Sequence, residues 1–467
     1  MEAKEKDSEL FNKIISFCKR RGFVYQSSEI YGGMSAIYDY GPYGVEVINT
    51  IKALWWKHTV QAREDVVGVD SAIFMSPKVW VASGHVAGFS DPLTECKKCH
   101  LRFRADHMLE EIGVQADEKM SEEQISEIFA QNRDKLKCPS CGSQDFTDIS
   151  KFNLLVKSNL GNFSGKWDSE PVYLRGETCQ GIYTNYLNIL NSMKVRVPFG
   201  IAQIGKAFRN EITARQFIFR TREFEQMELE YFTKPDEEMS EYEKLKETRW
   251  KFYTEVMGIK EENLKWYQHE NLVFYAKDAY DILYKFPFGW NELEGLHARG
   301  DYDLSQHAKF SQKDMNYTDP MTGEKYVPHI VEASSGVGRN FLMLLSEAYT
   351  EEKLENGEQR IVMKFNPKFA PVKVAVFPLL RNKPELVKAA KEIFNQLKME
   401  YNCEYDNSGN IGKCYRRQDE IGTPYCVTVD FETLEKGTVT VRDRDTMKQE
   451  RVATTELKQF FSDKGFR

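Results

Sequence analysis

Phe208-Arg209-Asn210-Glu211 is followed after a short gap by Phe219-Arg220-Thr221-Arg222-Glu223-Phe224, and the chain then runs Glu225-Gln226-Met227-Glu228-Leu229-Glu230-Tyr231-Phe232. These stretches read as two arms of a hairpin, an Arg-x-Glu end and a return strand bearing Arg-x-x-x-Phe. Side chains on a strand alternate between faces, so Phe224, Gln226, Glu228, Glu230 and Phe232 share one side and Met227, Leu229 and Tyr231 the other. If the apolar set packs on helices, the Gln226 and Glu228 face looks into a cleft; a solvated outer face is the alternative. Far downstream, Gly336-Val337-Gly338-Arg339 opens an apolar helix. Arginines from both segments can hold the phosphates of a bent nucleotide. A carboxylate can accept from an adenine amine, and an aromatic face can stack on the base.

The 467 residues suffice for about two or three domains, each with its own core. Hydrophobic residues at 41% and charged residues at 29% place the chain among ordinary water-soluble proteins. No run approaches the apolar length that spans a bilayer, and Met1-Glu2-Ala3-Lys4-Glu5-Lys6-Asp7 is charged where a signal peptide is apolar. A cytoplasmic protein with no membrane association is expected. The net charge of −7 argues against indiscriminate nucleic-acid binding, and no DNA partner is expected. Residues 371–467 hold 17 Lys+Arg against 15 Asp+Glu, so this segment is +2 and residues 1–370 carry −9. An RNA partner would be met by local patches. Of nine cysteines, Cys18, Cys179, Cys403, Cys414 and Cys426 are scattered, which is no disulfide framework.

Ser8 can cap a helix that ends near Gly22, and Gly41-Pro42 starts a longer one with Val45, Ile48, Ile51, Leu54 and Trp55 on one stripe. Val66 to Met75 reads as a strand. Between Thr94 and Thr147 the composition turns charged, and Ser121-Glu122-Glu123-Gln124 has the form of a capping box, so this stretch reads as an insertion. Within it, Cys96-Lys97-Lys98-Cys99 and Cys138-Pro139-Ser140-Cys141 are two knuckles suited to a closed tetrahedral zinc site, with unrelated reduced thiols as the alternative. The 38 residues between the pairs exceed the common spacing. His85, His100 and His107 lie nearby and read as surface or core histidines rather than ligands. Residues 150–340 carry short strand-like runs around a helix near Ser240 to Val256, the pattern of an antiparallel sheet with helices. After Asn366-Pro367 strands alternate with helices: Val372–Leu380, Pro384–Leu397, Tyr401–Tyr405, Asn410–Ile421, Tyr425–Val429, Thr438–Val441 and Thr455–Phe461. This predicts a small α/β domain with a mostly parallel sheet.

The hairpin and the Gly-Val-Gly-Arg segment resemble the signature of class II aminoacyl-tRNA synthetases. Their surroundings resemble glycyl-tRNA synthetases of the homodimeric type. Leu174-Arg175-Gly176-Glu177-Thr178-Cys179-Gln180-Gly181 is similar to that family's Arg-Pro-Glu-Thr-Ala-Gln-Gly segment, departing at Gly176 and Cys179. Glu292, in Phe286-Pro287-Phe288-Gly289-Trp290-Asn291-Glu292-Leu293-Glu294-Gly295, matches an ATP-site glutamate. His329-Ile330-Val331-Glu332-Ala333-Ser334-Ser335-Gly336 matches a Glu-x-Ser element, and Tyr415 to Tyr425 is typical of the last domain. The likeness runs from Gly22 almost to the end.

The resemblance implies a class II catalytic domain built on an antiparallel sheet over 1–93 and 148–366, a zinc-knuckle insertion over 94–147, and a C-terminal α/β anticodon-binding domain over 367–467. It implies glycine activation by ATP and transfer to the 3′ end of glycine tRNA, with diadenosine tetraphosphate as a further product, Mg2+ beside ATP, a structural zinc and a homodimer. Arg209 would bind the amino-acid carboxylate and α-phosphate, Glu211 the adenine amine, and Phe224 and Arg339 the two faces of the base. Arg220 would take the leaving pyrophosphate and Glu292 the magnesium. Asn210, Phe219, Thr221, Arg222, Leu293, Gly336 and Gly338 complete the nucleotide set. For glycine the candidates are Arg104 (Arg102 being the alternative), Glu177, Phe224, Gln226, Glu228, Glu332, Ser334 and Gly336. The step needs alignment and cations rather than a strong base. In the last domain Arg416, Arg417, Arg442 and Arg444 offer charge and Tyr415 and Tyr425 stacking faces, or Arg442 to Asp445 form a neutralised surface ladder. The rivals are a class II ligase for another small amino acid and a non-catalytic synthetase-like accessory protein.

Overall fold

The computed structural model describes residues 2–116, 120, 122–160, 171–212, 216–270, 272, 276–354 and 357–466, with the side chains of 2–8 and 122 outside that description. Its centre is a seven-stranded sheet in the order Leu264–Gln268, Asp278–Phe286, Gly289–Gly300, His329–Gly336, Glu223–Thr233, Phe199–Phe208, Val66–Gly68. Every pairing is antiparallel except the last, at the edge. Antiparallel pairing needs only short connections, and the hairpin between Phe208 and Glu223 is one of them.

The alternation expected for the return strand is present. Met227 and Leu229 join Val331, Ala333, Leu296 and Ile282 in the main core, covered by the helices Pro42–Trp56, Glu238–Lys251 and Val337–Ala348. Pro42 stands in the first turn of its helix as expected, but the buried stripe is Val47, Ile48, Ile51 and Trp55, and Val45 is exposed. On the opposite face the strand is divided. Helix Cys179–Ser192 covers its far end, where Phe232 packs on Tyr186 and Phe199 with ring centroids 4.9 and 5.3 Å apart. The end from Phe224 to Glu228 opens into a cleft. Alternation predicts which side chains share a face, but only the helix placed over that face decides which of them reach solvent.

The expected strand Val66–Met75 is a regular strand only over Val66–Gly68; past it the Val69 amide still donates to the Ala202 carbonyl at 2.9 Å, and Phe74 forms an isolated antiparallel bridge with Leu174. Between those points the Ser71 carbonyl accepts from the Arg175 side chain, Nη1 at 2.7 Å, and Ser71 Oγ donates to Gln203 at 2.8 Å, so the chain leaves the sheet there. The first helix runs Glu2–Arg20, starting upstream of Ser8, whose side chain lies outside the described residues, as does Ser121 of the expected capping box. The charged insertion roots in a three-stranded sheet of Ser90–Glu95, Arg102–Arg104 and Ser150–Asn153. It has its own core of Phe103, Met108, Leu109, Ile125, Phe129, Leu136 and Phe146, which accounts for the long span between the cysteine pairs.

The last sheet has the order Cys403–Tyr405, Val374–Pro378, Tyr425–Val429, Thr438–Asp443, Gln449–Ala453. Its first three strands are parallel and the rest antiparallel, so it is mixed rather than mostly parallel. A parallel return needs a crossover of a dozen or more residues. Helix Phe431–Lys436 and the turn after Asp443 are too short to supply one. The strand Gln449–Ala453 escaped the sequence reading because it is an edge strand, exposed over Gln449, Glu450 and Arg451.

Two groups assigned to RNA contact are internal. Arg442 and Arg444 are 7% and 2% exposed. Arg442 donates to both Asp419 oxygens at 2.8 and 3.1 Å. Arg360, from strand Gln359–Met363, donates from Nε to Asp419 at 2.9 Å. Arg444 donates to the carbonyls of Gly422 and Phe365, both at 2.8 Å. These arginines fasten the last domain to the rest of the chain and are not a surface ladder. Tyr415 lies under the Arg442 guanidinium and Tyr425 packs on Phe460, Phe461 and Phe466, so neither ring is a free stacking face.

Candidate functional site

Three neighbouring strands carry the site in transverse rows. Gln226 stands opposite Gly336 and Gly205, Glu228 opposite Ser334 and Gln203, and Glu230 opposite Glu332 and Ile201. One strand further, Gly295 faces Ser334 and His297 faces Glu332. Paired residues point to the same side of a sheet, so register alone stacks amide, acid and hydroxyl groups on one face. Above the open half of this face lies a cavity of about 240 Å³. Of the expected residues, Glu177, Arg209, Glu211, Phe219, Arg220, Thr221, Phe224, Gln226, Glu228, Glu292, Glu332, Ser334, Gly336, Gly338 and Arg339 line it.

Cations cluster at one end. Arg209 donates from Nε to the Gly176 carbonyl at 3.0 Å, and its guanidinium lies 5.2 Å from the Phe89 ring and 5.4 Å from the Phe224 ring. Arg220 Nε is 3.1 Å from Glu211, whose side chain is 6% exposed. Arg339, in the first turn of helix Val337–Ala348, lies over Phe219 at 4.5 Å and reaches Glu292 Oε1 at 2.7 Å, so segments distant in sequence bring Arg209, Arg220 and Arg339 to one cavity. Gly338 permits this approach: a Cβ there would come within 3.0 Å of the Ile218 carbonyl oxygen and 3.1 Å of the Tyr40 hydroxyl.

Four expected residues stand outside the lining. Arg222 donates from Nε to the Glu211 carbonyl at 2.7 Å, and the Asn210 amide to the Leu154 carbonyl at 2.7 Å, so both shape the hairpin end. Leu293 is fully buried in the main core. Arg104 is 5% exposed and bound to Asp91 and Asp106, with Arg104 Nη1 to Asp91 at 3.1 Å. Its alternative, Arg102, is exposed and donates to Glu95 at 3.1 Å. Neither arginine lies on the cavity wall.

The other end is acidic. Ser334 Oγ and Gln226 Nε2 donate to Glu228 Oε1 at 2.8 and 2.9 Å, and Thr178 donates to its other oxygen. Burial pushes the Glu228 carboxyl up to about 7, with the Glu332 and Glu177 charges adding to the rise. Burial also lifts Glu230 well above the carboxylate range, and Glu332 adds to it; Tyr183 donates to Glu230 at 2.7 Å. Glu332 behaves oppositely. Burial raises it, but Arg299 Nη1 at 2.6 Å and His297 Nδ1 at 3.0 Å outweigh that and hold it below its ordinary value. For Glu177, burial is likewise outweighed, chiefly by His85, whose Nε2 lies 3.3 Å away.

Sequence reasoning missed His297, Arg299, His85, Thr178 and Tyr183. His297 and Arg299 were legible in principle, since Gly295, His297 and Arg299 alternate along one strand face toward Glu332. His85 gives no such signal, because it opens a separate short helix, His85–Gly88, that only the tertiary fold brings to Glu177.

The four insertion cysteines converge. Sγ atoms of Cys96 and Cys141, and of Cys99 and Cys138, are 3.6 Å apart, and all four lie within 4.8 Å of one another. In each knuckle the residue after the second cysteine, His100 or Gly142, has a left-handed φ of 57° or 71° and donates its amide to the carbonyl of the first. A zinc–thiolate tetrahedron with bonds of about 2.3 Å has sulfur–sulfur edges of about 3.8 Å, which these spacings fit. His100 is exposed and turned to Glu95.

Comparison with known proteins agrees with this geometry. Residues 163–349 match the tRNA synthetase class II core domain (G, H, P, S and T), and residues 373–464 match an anticodon binding domain. A glycine–tRNA ligase of Clostridium acetobutylicum is 51% identical over 465 residues, covering 98% of this chain and 99% of that protein. Glycine–tRNA ligases of Treponema denticola and Streptomyces coelicolor are each 50% identical, over 95% and 96% of this chain and 95% and 97% of theirs. With half of all positions shared along nearly the whole length, and the class II core spanning the strands that carry the site, the chain belongs to the glycine–tRNA ligases.

Proposed function

We propose that this chain is a glycine–tRNA ligase that joins glycine to ATP, giving glycyl-adenylate and pyrophosphate, and then passes the glycyl group to the 3′ end of glycine tRNA with release of AMP. The observation that carries this reading is one cavity with three arginines, Arg209, Arg220 and Arg339, at one end and three carboxylates, Glu177, Glu228 and Glu332, at the other. A glycine carboxylate oxygen attacks the α-phosphorus, so charge grows on phosphate oxygens and the P–O bond to pyrophosphate breaks. Arg209 holds the attacking carboxylate and the α-phosphate, Arg220 the departing pyrophosphate, and Arg339 the terminal phosphate of the bent nucleotide. Glu211 accepts from the adenine amine, with the base between Phe224 and Arg339. Preorganised cations of this kind act without reorganising during the step.

Glycine offers no side chain, so recognition rests on its ammonium. Glu177, Glu228, Glu332 and Ser334 surround that position, with His297 and Arg299 keeping Glu332 ionised. Exclusion of larger amino acids is then steric. Glu292, with its side chain 45% exposed beside Arg339, is a hard-oxygen ligand suited to Mg2+, which would neutralise phosphate charge. The four-cysteine cluster is suited to structural zinc, closed by four sulfurs and therefore not catalytic.

The division into a catalytic unit (1–93 and 148–366), an insertion (94–147) and an anticodon-binding unit (367–467) belongs to the same proposal. So do the homodimer and the cytoplasmic location; among the described residues no helix is long and apolar enough to cross a membrane. For RNA the last domain presents Arg416 and Arg417, whose side chains are 49% and 35% exposed. Pyrophosphate exchange into ATP, driven by glycine and compared with serine, threonine and proline, tests the reading. Exchange with glycine alone supports it, and exchange with another amino acid or with none overturns it.

A further inference from the structure

We infer that Cys179, Glu230 and Glu332 form a second metal site, one that takes a thiophilic divalent cation of the zinc class just behind the acidic end of the cavity, where Glu332 forms the wall, and excludes glycine from that end. One ligand atom from each of the three, all buried, lies within 4.8 Å of the others. One feature beyond the clustering itself points to a cation there. Glu230 is fully buried, yet its Oε1 has no hydrogen-bond partner among the described residues, while its Oε2 accepts from Tyr183. An unpartnered buried carboxylate oxygen is costly and is relieved by a cation. The third ligand is a thiol, which selects zinc or cadmium over magnesium, so Mg2+ accompanying ATP does not compete for the site.

The geometry needs little adjustment. Sulfur and oxygen ligands of one tetrahedral zinc stand about 3.6 Å apart, so a contraction of about 1 Å brings the trio into range. Water can supply the fourth position. On binding, the Cys179 sulfur exchanges its proton for the metal. That proton, now shared with Glu177 at 3.1 Å, leaves to solvent, and any proton on Glu230 follows. The surrounding groups are mixed: Glu177 and Glu228 favour a cation, whereas Arg299, His297 and His85 oppose it. Moderate affinity that strengthens as pH rises is expected. Competition with glycine rests on the proposal above, because Glu332 cannot serve a metal and an ammonium together.

The test uses the full chain and Zn2+ at buffered free concentration. Equilibrium dialysis without nucleotide should show one more zinc per chain in the parent than in Cys179→Ala or Cys179→Ser, with saturating glycine displacing it. In pyrophosphate exchange the same zinc should raise the parent's KM for glycine by about tenfold and that of either variant by less than about twofold, since thiolate supplies the selectivity. Thermal melting confirms that the variants fold, and the serine variant separates loss of sulfur from loss of volume. Equal zinc content in parent and both variants overturns the site. An additional zinc that depends on Cys179 but ignores glycine leaves the metal site standing and overturns the placement of glycine at the acidic end.

Discussion

Replacing Arg209 by alanine should lower glycine-dependent pyrophosphate exchange by about 100- to 1000-fold while leaving the fold intact. The side chain is held by one hydrogen bond, from Nε to the Gly176 carbonyl, and by two aromatic rings at 5.2 and 5.4 Å. Among the described residues its two Nη groups have no protein partner, so they are available to an anion. A guanidinium about 4 Å from a phosphate oxygen contributes about 4 kcal/mol at an effective dielectric of about 20. Loss of one preorganised donor costs about 2.7–4 kcal/mol of transition-state stabilisation, the same range. The stability cost is smaller, at about 0.5–1 kcal/mol for each cation–π contact. Exchange kinetics beside thermal melting separate the two effects, and lysine, which keeps the charge but lacks the fork, should recover only part of the rate. An alanine variant within about threefold of the parent would remove Arg209 from phosphate stabilisation.

Glu228, raised by burial to about 7, must be ionised to hold an ammonium, so the KM for glycine should fall as pH rises through that value. Glu228→Gln should show weak glycine use without this pH dependence, and a parent profile flat across neutrality would contradict the assignment. The same rise bears on stability. The folded protein retains a proton that the unfolded chain releases near the ordinary value of 4.5, so the stability contributed by protonated Glu228 is complete below that value. It declines as pH rises through about 7. Elemental analysis should find zinc bound at the insertion, and Cys138→Ser should release it and open the insertion to protease while the seven-stranded sheet stays folded; intact resistance without metal would refute a structural role. Asp419→Ala leaves Arg360 and Arg442 buried without their shared carboxylate, which should destabilise the last domain by about 3–5 kcal/mol. An unchanged urea midpoint for that domain would show the cluster to be dispensable.

The sequence alone made much of this chain legible, and the reasons differ by element. Strand alternation fixed which of residues 224–232 share a face, because that follows from backbone geometry. The resemblance drew Arg209, Glu211, Arg220 and Arg339 together, and all four line one cavity. Strong local signals located Pro384–Leu397 and Tyr425–Val429 to the residue. Weak local signals failed at Gln449–Ala453, since an exposed edge strand need not be apolar, and near Ser71, whose carbonyl turns to the Arg175 side chain instead of a neighbouring strand.

Exposure and partners lay beyond the sequence, because they depend on what packs above each side chain. Arg442 and Arg444 read as RNA-facing charges, yet Asp419 and main-chain carbonyls draw them inside, where guanidinium groups are stable only when paired. Arg104 likewise turns into Asp91 and Asp106 and away from the cavity. Glu228 and Glu332 look alike as residues in a chain. Only the folded neighbourhood separates them, by leaving one among carboxylates and setting the other between a histidine and an arginine, since charge energies depend on distance in space and not along the sequence.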